Sequence, residues 1–297
     1  MATIQQNTLG HVSGGIYGVG GYTSDDDASQ HAIVVTANGT VNEIHWDVRT
    51  APSQPVVLAQ FNGIVCFTSF YTSDDNYQHV IVATPDNQLH EVYFTDATHP
   101  HVRSPLFQLK SIIGTHVGMS GFFSYDDSLR HAAVLDKDGE LHEVTFNAGK
   151  QPDAEDFATQ FDLKDIAAIA GFYSYDDTTK HTVVALKDGR VYDINYTTEQ
   201  THASTAFVTE FTEPLVNVAA FYTSDTGYRH IVALAASGNL YDYAYTTPQN
   251  FVGPTQLATL GNVVDIAAYY SAYDGNRHVI LATEDGNLHE VYYSHLG

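Results

Sequence analysis

Basic residues are scarce: 12 Lys and Arg stand against 35 Asp and Glu in 297 residues, a formal charge of −23. A surface of that sign repels phosphate backbones and anionic lipid, which excludes nucleic acid and membrane insertion and leaves neutral sugars, cations and basic proteins as partners. Cysteine is almost missing. The single Cys66 sits in the apolar run GIVCFTSF, so there is no disulfide framework and the thiol reads as a small buried hydrophobe. No apolar run reaches the length of a membrane-spanning helix, and the opening MATIQQNTLG has neither the basic stretch nor the apolar core of a signal peptide. A cytoplasmic protein is the default expectation, with non-classical export left open. Tryptophan is as rare as cysteine, Trp46 being the only one, and helical periodicity is absent throughout.

What is present is one sentence written six times. SFYTSDDNYQHVIVATPDNQLHEVYF, residues 69–94, recurs as GFFSYDDSLRHAAVLDKDGELHEVTF, as AYYSAYDGNRHVILATEDGNLHEVYY and in three further copies. The anchoring residues His31, His79, His131, His181, His230 and His278 are separated by 48, 52, 50, 49 and 48 positions. A period near 50 built of short alternating strands rich in Val, Ile, Phe and Tyr, punctuated by Asp, Gly and Asn turns, reads as a four-stranded propeller blade. The expected fold is therefore all-β, a single six-bladed β-propeller domain over 1–297 with four-stranded antiparallel blades. An open solenoid is the alternative, but its coils would be shorter. Innermost strands such as GMSGFF and DIAAYY carry the small residues that a crowded ring centre requires. Only 19 residues follow His278, too few for a fourth strand, whereas a surplus segment ATIQQNTLG precedes the first copy. The expectation is that residues 2–9 complete the last blade and remove the open sheet edge.

The turn between the second and third strands decides where two polar side chains point. A two-residue turn would put His79 and Glu91 on opposite faces; a three-residue turn puts them on one. Pro85 suits the first central position of a type I turn, and the third position is filled by Gly39, Asn87, Gly139, Gly189, Gly238 and Gly286, residues that accept the left-handed conformation. The three-residue hairpin follows, with Thr84 opposite Gln88, His79 opposite Tyr93, and Glu91 diagonal to His79. The same count joins His31 with Glu43, His131 with Glu143, His181 with Asp193, His230 with Asp242 and His278 with Glu290. Six clefts between blades would each carry an imidazole and a carboxylate. Those pairs either bind ligand or hydrogen-bond among themselves and lock the blade.

The stretch HVILATEDGNLHE resembles the repeat of the fungal fucose-specific lectins, six-bladed propellers in which an Arg, a short strand, a Gly-containing turn and a Glu twelve residues on recur. His278 falls at the Arg position and Glu290 at the Glu position, and all six copies share the layout with His in place of Arg. The resemblance implies that these residues grip sugar hydroxyls while an aromatic from a neighbouring repeat stacks on the ring. Tyr71, Phe123, Tyr173, Tyr222 and Tyr270 are candidates for stacking, or for packing between blades. The Asp-rich hairpins, with Asp74/Asp75, Asp126/Asp127 and Asp176/Asp177, lack the ligand run of a calcium loop and read as turn caps. Six scattered pairs suit neither a zinc centre nor a single acid–base site. The expectation is a non-enzymatic, multivalent carbohydrate-binding protein without cofactor or metal, partnered by glycans or glycoconjugates, with a protein-interaction scaffold as the alternative. The sequence is silent on oligomeric state.

Overall fold

The computed structural model describes residues 3–25, 27–47, 49–108, 116–136, 141–147, 153–156, 163–197, 203–247 and 250–295. Six four-stranded antiparallel sheets follow one another around a central channel, five of them in simple sequence order. In the second blade the strands run Cys66–Thr72, Tyr77–Thr84, Gln88–Phe94 and His101–Gln108 from the channel outward. The sixth blade is built from Val263–Ser271, Asn276–Thr283 and Asn287–Tyr293, and its outermost strand is the N-terminal Ile4–His11. Pairing runs from Ile4 opposite Tyr293 to His11 opposite Asn287, with a bulge between Thr8 and Gly10, and Val12 N–H then donates to Gly286 O at 2.9 Å. Chain closure thus falls where the surplus segment placed it, with the strand two residues further along the chain than expected.

The three-residue turn is present. Thr84 pairs with Gln88, His79 with Tyr93 and Ile81 with Glu91, while Asn87 takes φ 72°. Gly39, Gly189, Gly238 and Gly286 occupy the same left-handed region, with φ between 85° and 102°; Gly139 lies outside the described residues.

Each second strand is buried on both faces because it stands in the middle of its blade with another blade on either side. In the first blade Ile33, Val35 and Val41 pack against Val80, Val82 and Val92 of the second. Ala32, Val34 and Ile44 pack against Ala267 and Ile280 of the sixth. Each of these Val and Ile side chains stabilises the blade stack by roughly 1.5–3 kcal/mol relative to exposure. At the channel the need for small residues is literal: a Cβ on Gly18 would stand 2.7 Å from Asp265 Oδ2 and from Phe67.

Candidate functional site

All six His/acid pairs meet. Nδ1 lies 2.8 Å from a carboxylate oxygen in His31–Glu43, 2.9 Å in His79–Glu91, His131–Glu143, His181–Asp193 and His278–Glu290, and 3.1 Å in His230–Asp242. The imidazoles are 1–3% exposed and the acids 2–4%. The face of each ring stacks on the inner-strand aromatic of its own blade: Tyr22, Phe70, Phe122, Phe172, Phe221 and Tyr269 lie 4.7–5.5 Å away, centroid to centroid. Nε2 faces the Asp-rich hairpin. It meets the hydroxyl of Ser24, Thr72 or Ser174 at 2.9–3.0 Å in three blades, and Asp127 or Asp274 in two. In the fifth blade, where Thr226 replaces the hairpin carboxylate, His230 Nε2 is buried without a partner.

Burial alone would push these imidazoles down, but hydrogen bonds to two carboxylates outweigh it and hold His31, His131 and His278 above the ordinary histidine value. Burial likewise works against the Asp274 carboxylate, yet the bond from His278 brings it down to about 2. Both ring nitrogens of His278 thus face carboxylates, Nδ1 towards Glu290 and Nε2 towards Asp274, an arrangement that favours the protonated imidazole.

What differs between blades is the residue just before each histidine. Arg130, Lys180, Arg229 and Arg277 reach back to the hairpin of the preceding blade: Arg130 to Asp75, Lys180 to Asp127 at 2.6 Å, Arg229 to Asp177 at 2.5 Å and Arg277 to Asp225 at 2.8 Å. The other two positions are Gln30 and Gln78. They accept instead from tyrosines of the preceding blade, Tyr269 Oη at 3.2 Å and Tyr22 Oη at 2.9 Å. The match is complete around the ring. Where the following blade supplies a cation the stacking aromatic is Phe, and where it supplies Gln the aromatic is Tyr.

A second variation lies at the end of the third strand, whose last aromatic reaches the acid of the preceding blade in some blades. Tyr196 donates its hydroxyl to Glu143, and Tyr245 donates to Asp193 at 3.2 Å. Glu43 is approached by His45 Nδ1 at 3.3 Å and Glu91 by Arg103 Nη1 at 3.4 Å. The junction between the sixth and first blades has Trp46 at this position and Gln30 in place of a cation. There a cavity of about 500 Å³ opens, lined by His278, Glu290, Asp274, Trp46, Gln30 and Asn7 among others. Glu290 gives one oxygen to His278 and receives Asn7 Nδ2 on the other at 3.3 Å, a long bond that a better donor would displace.

The sequence thus named the floor of this cleft, His278 and Glu290, and missed its walls. Trp46, Gln30 and Asn7 carry no signal within a repeat; only the departure of Gln30 and Trp46 from the other copies could have pointed to them. The aromatics read as candidates for stacking on sugar or for packing between blades, Tyr71, Phe123, Tyr173, Tyr222 and Tyr270, do not line this cleft, and Tyr71, Tyr222 and Tyr270 pack against the core clusters. All five line one mouth of the central channel, because each follows the ring that stacks on histidine and alternation turns it to the other face.

Neither a family model nor any curated protein matches the chain. Solved structures do. AofleA from Arthrobotrys oligospora superposes with a TM-score of 0.74 at 14% identity, covering 99% of this chain and 87% of that one. The fucose-specific lectin of Aleuria aurantia, described as a six-bladed β-propeller, gives 0.66 at 12% identity over 96% and 93%. A lectin from Burkholderia pseudomallei gives 0.63 at 14% over 94% and 81%. Across nearly its whole length the chain shares the six-bladed propeller fold of these fungal and bacterial lectins.

Proposed function

We propose that the protein binds carbohydrate without transforming it, and that sugar sits in the clefts between blades, above the His/acid pairs. The observation that carries this reading is the cleft between the sixth and first blades. It joins an aromatic wall, Trp46, to a carboxylate acceptor, Glu290, and to amide groups of Asn7 and Gln30 in about 500 Å³, the size and chemistry that suit a mono- or disaccharide. Folds of this kind hold fucose in the Aleuria lectin, and methyl fucoside is the first ligand to try. The pairs at His31, His79, His131, His181 and His230 repeat the floor of this site, so multivalency extends it to further clefts. Arg130, Lys180, Arg229 and Arg277 brace four of the junctions, which ranks those four behind the open one. The same geometry supports a non-catalytic reading, since the pairs are near duplicates spread around the ring and in five of the six blades both imidazole nitrogens are engaged.

The only tryptophan reports on this cleft directly. Titration with methyl fucoside and a panel of neutral glycosides should change Trp46 fluorescence saturably, and Glu290→Gln should weaken the response about tenfold. Binding by calorimetry with unchanged fluorescence would move the sugar to another cleft. Silence across a glycan array would favour the interaction scaffold.

A further inference from the structure

The channel mouth at the hairpin end is a second cavity, of about 500 Å³, to which all six blades contribute. Its wall is aromatic. Tyr125, Tyr175 and Tyr273 are 46%, 53% and 47% exposed, unusual for side chains of this size, and Tyr71, Tyr222 and Tyr270 stand half-buried beside them. The rings are organised among themselves: Tyr125 and Tyr175 lie 4.9 Å apart, and Tyr175 and Tyr222 lie 6.0 Å apart. Hydroxyls anchor two of them, Tyr125 to Ser73 Oγ at 2.6 Å and Tyr273 to Asp25 at 3.2 Å. None of these residues belongs to the clefts between blades.

Charge distinguishes the mouth from an ordinary apolar patch. The six hairpins around it carry eleven Asp, against the four cations Arg130, Lys180, Arg229 and Arg277. Those cations are buried in the blade junctions and do not line the cavity. Burial, with the nearby aspartates adding to it, raises the hydroxyl pKa of Tyr173, Tyr222 and Tyr270, so the rings stay neutral in a negative field.

We propose that this mouth binds a quaternary ammonium group. Electron-rich ring faces attract a cation within about 6 Å of the centroid, and the surplus of carboxylates adds a long-range pull. The wall favours a quaternary over a primary ammonium. Among the lining residues the one carboxylate is Asp25, which already accepts from Tyr273. A primary ammonium would leave three hydrogen bonds to water without replacing them, whereas a trimethylammonium has none to lose.

Choline chloride is the probe, and its neutral isostere 3,3-dimethylbutan-1-ol is the control, both titrated by calorimetry into the full chain. Choline should bind at one site per chain, the isostere at least tenfold more weakly. Tyr175→Ala and Tyr273→Ala should each weaken choline about fivefold or more with the melting temperature unchanged, because both side chains are half exposed, and Asp25→Asn should weaken it less. Displacement of choline by a trimethyl-lysine peptide or by phosphocholine would support the assignment and identify the carrier. Equal affinity for the neutral isostere, indifference to both tyrosine substitutions, or displacement by methyl fucoside would overturn it.

Discussion

The pairing of Tyr with Gln and of Phe with a cation across each junction predicts a specific failure of additivity. At the junction of the first and second blades Tyr22 is 6% exposed and Gln78 1%, and the hydroxyl donates to Gln78 Oε1 at 2.9 Å. Tyr22→Phe removes the donor and leaves the amide oxygen buried and unpaired, a cost of about 1–3 kcal/mol. Gln78→Arg alone drives a larger side chain against the Tyr22 hydroxyl and costs a similar 1–3 kcal/mol by overpacking. Together they reproduce the Phe/cation arrangement of the other four junctions, with Asp27 placed to receive the guanidinium, so the double variant should lie near wild type. The expected coupling is at least about 2 kcal/mol, and sites in contact couple by about 0.5–3 kcal/mol. Urea unfolding of the four proteins measures it, each single variant also losing several degrees in Tm. Costs that add to within about 0.5 kcal/mol would refute the idea that the two residues are chosen together.

Deleting residues 1–11 should remove the outer strand of the sixth blade and expose Tyr293 and Val291, lowering Tm by more than 10 °C or abolishing folding; an unchanged melt would mean that another segment covers the edge. Ile81→Ala, at a fully buried position between blades, should cost about 2–5 kcal/mol in urea unfolding, and a loss below 1 kcal/mol would contradict the packing. The pair Asp274 and His278 should give a stability plateau with two arms. The depressed Asp274 contributes fully above about pH 4 and loses its contribution as pH falls towards 2. The raised His278 contributes fully below about 6.5 and loses its contribution as pH rises through its elevated value. Wild type minus His278→Gln, measured by urea midpoints from pH 3 to 9, should show both declines; a difference independent of pH would refute the charged pairing of Asp274 with His278.

The reading of the sequence reached furthest where information lies within one blade. Period, strand grammar and the turn at Pro85–Asn87 are local, and together they placed Glu91 on the histidine's face, as the Ile81–Glu91 register confirms. Ring closure was legible by counting, since 19 residues after His278 could not make two more strands and a loop. What was hidden lies between blades. Tyr22 and Gln78 are 56 residues apart, and each looks unremarkable in its own copy. Their relation appears only when the aromatic of one repeat is compared with the polar residue of the next. The stacking partner of histidine was hidden by a different ambiguity. Phe70 and Tyr71 are adjacent aromatics on opposite faces, and without the sheet register either could have been given to the cleft.

That comparison between repeats also explains how a molecule of six similar blades acquires unequal clefts. An arginine before His31, as at the corresponding position before His278, would reach the Asp274 hairpin and fill the space above Glu290. Gln30 is shorter and uncharged, and it turns to Tyr269 within the junction. The volume left over is the cavity that Trp46 walls. The sixth-to-first junction is also where the two chain ends meet in one sheet, and the N-terminal strand brings Asn7 and Thr8 to the same cavity, residues that no repeat encodes. Repetition therefore supplies the acid and the imidazole six times, while the open site depends on a combination no other junction has: a glutamine in place of a cation, shared only with Gln78, together with the one tryptophan in place of Phe or Tyr and the strand that closes the ring.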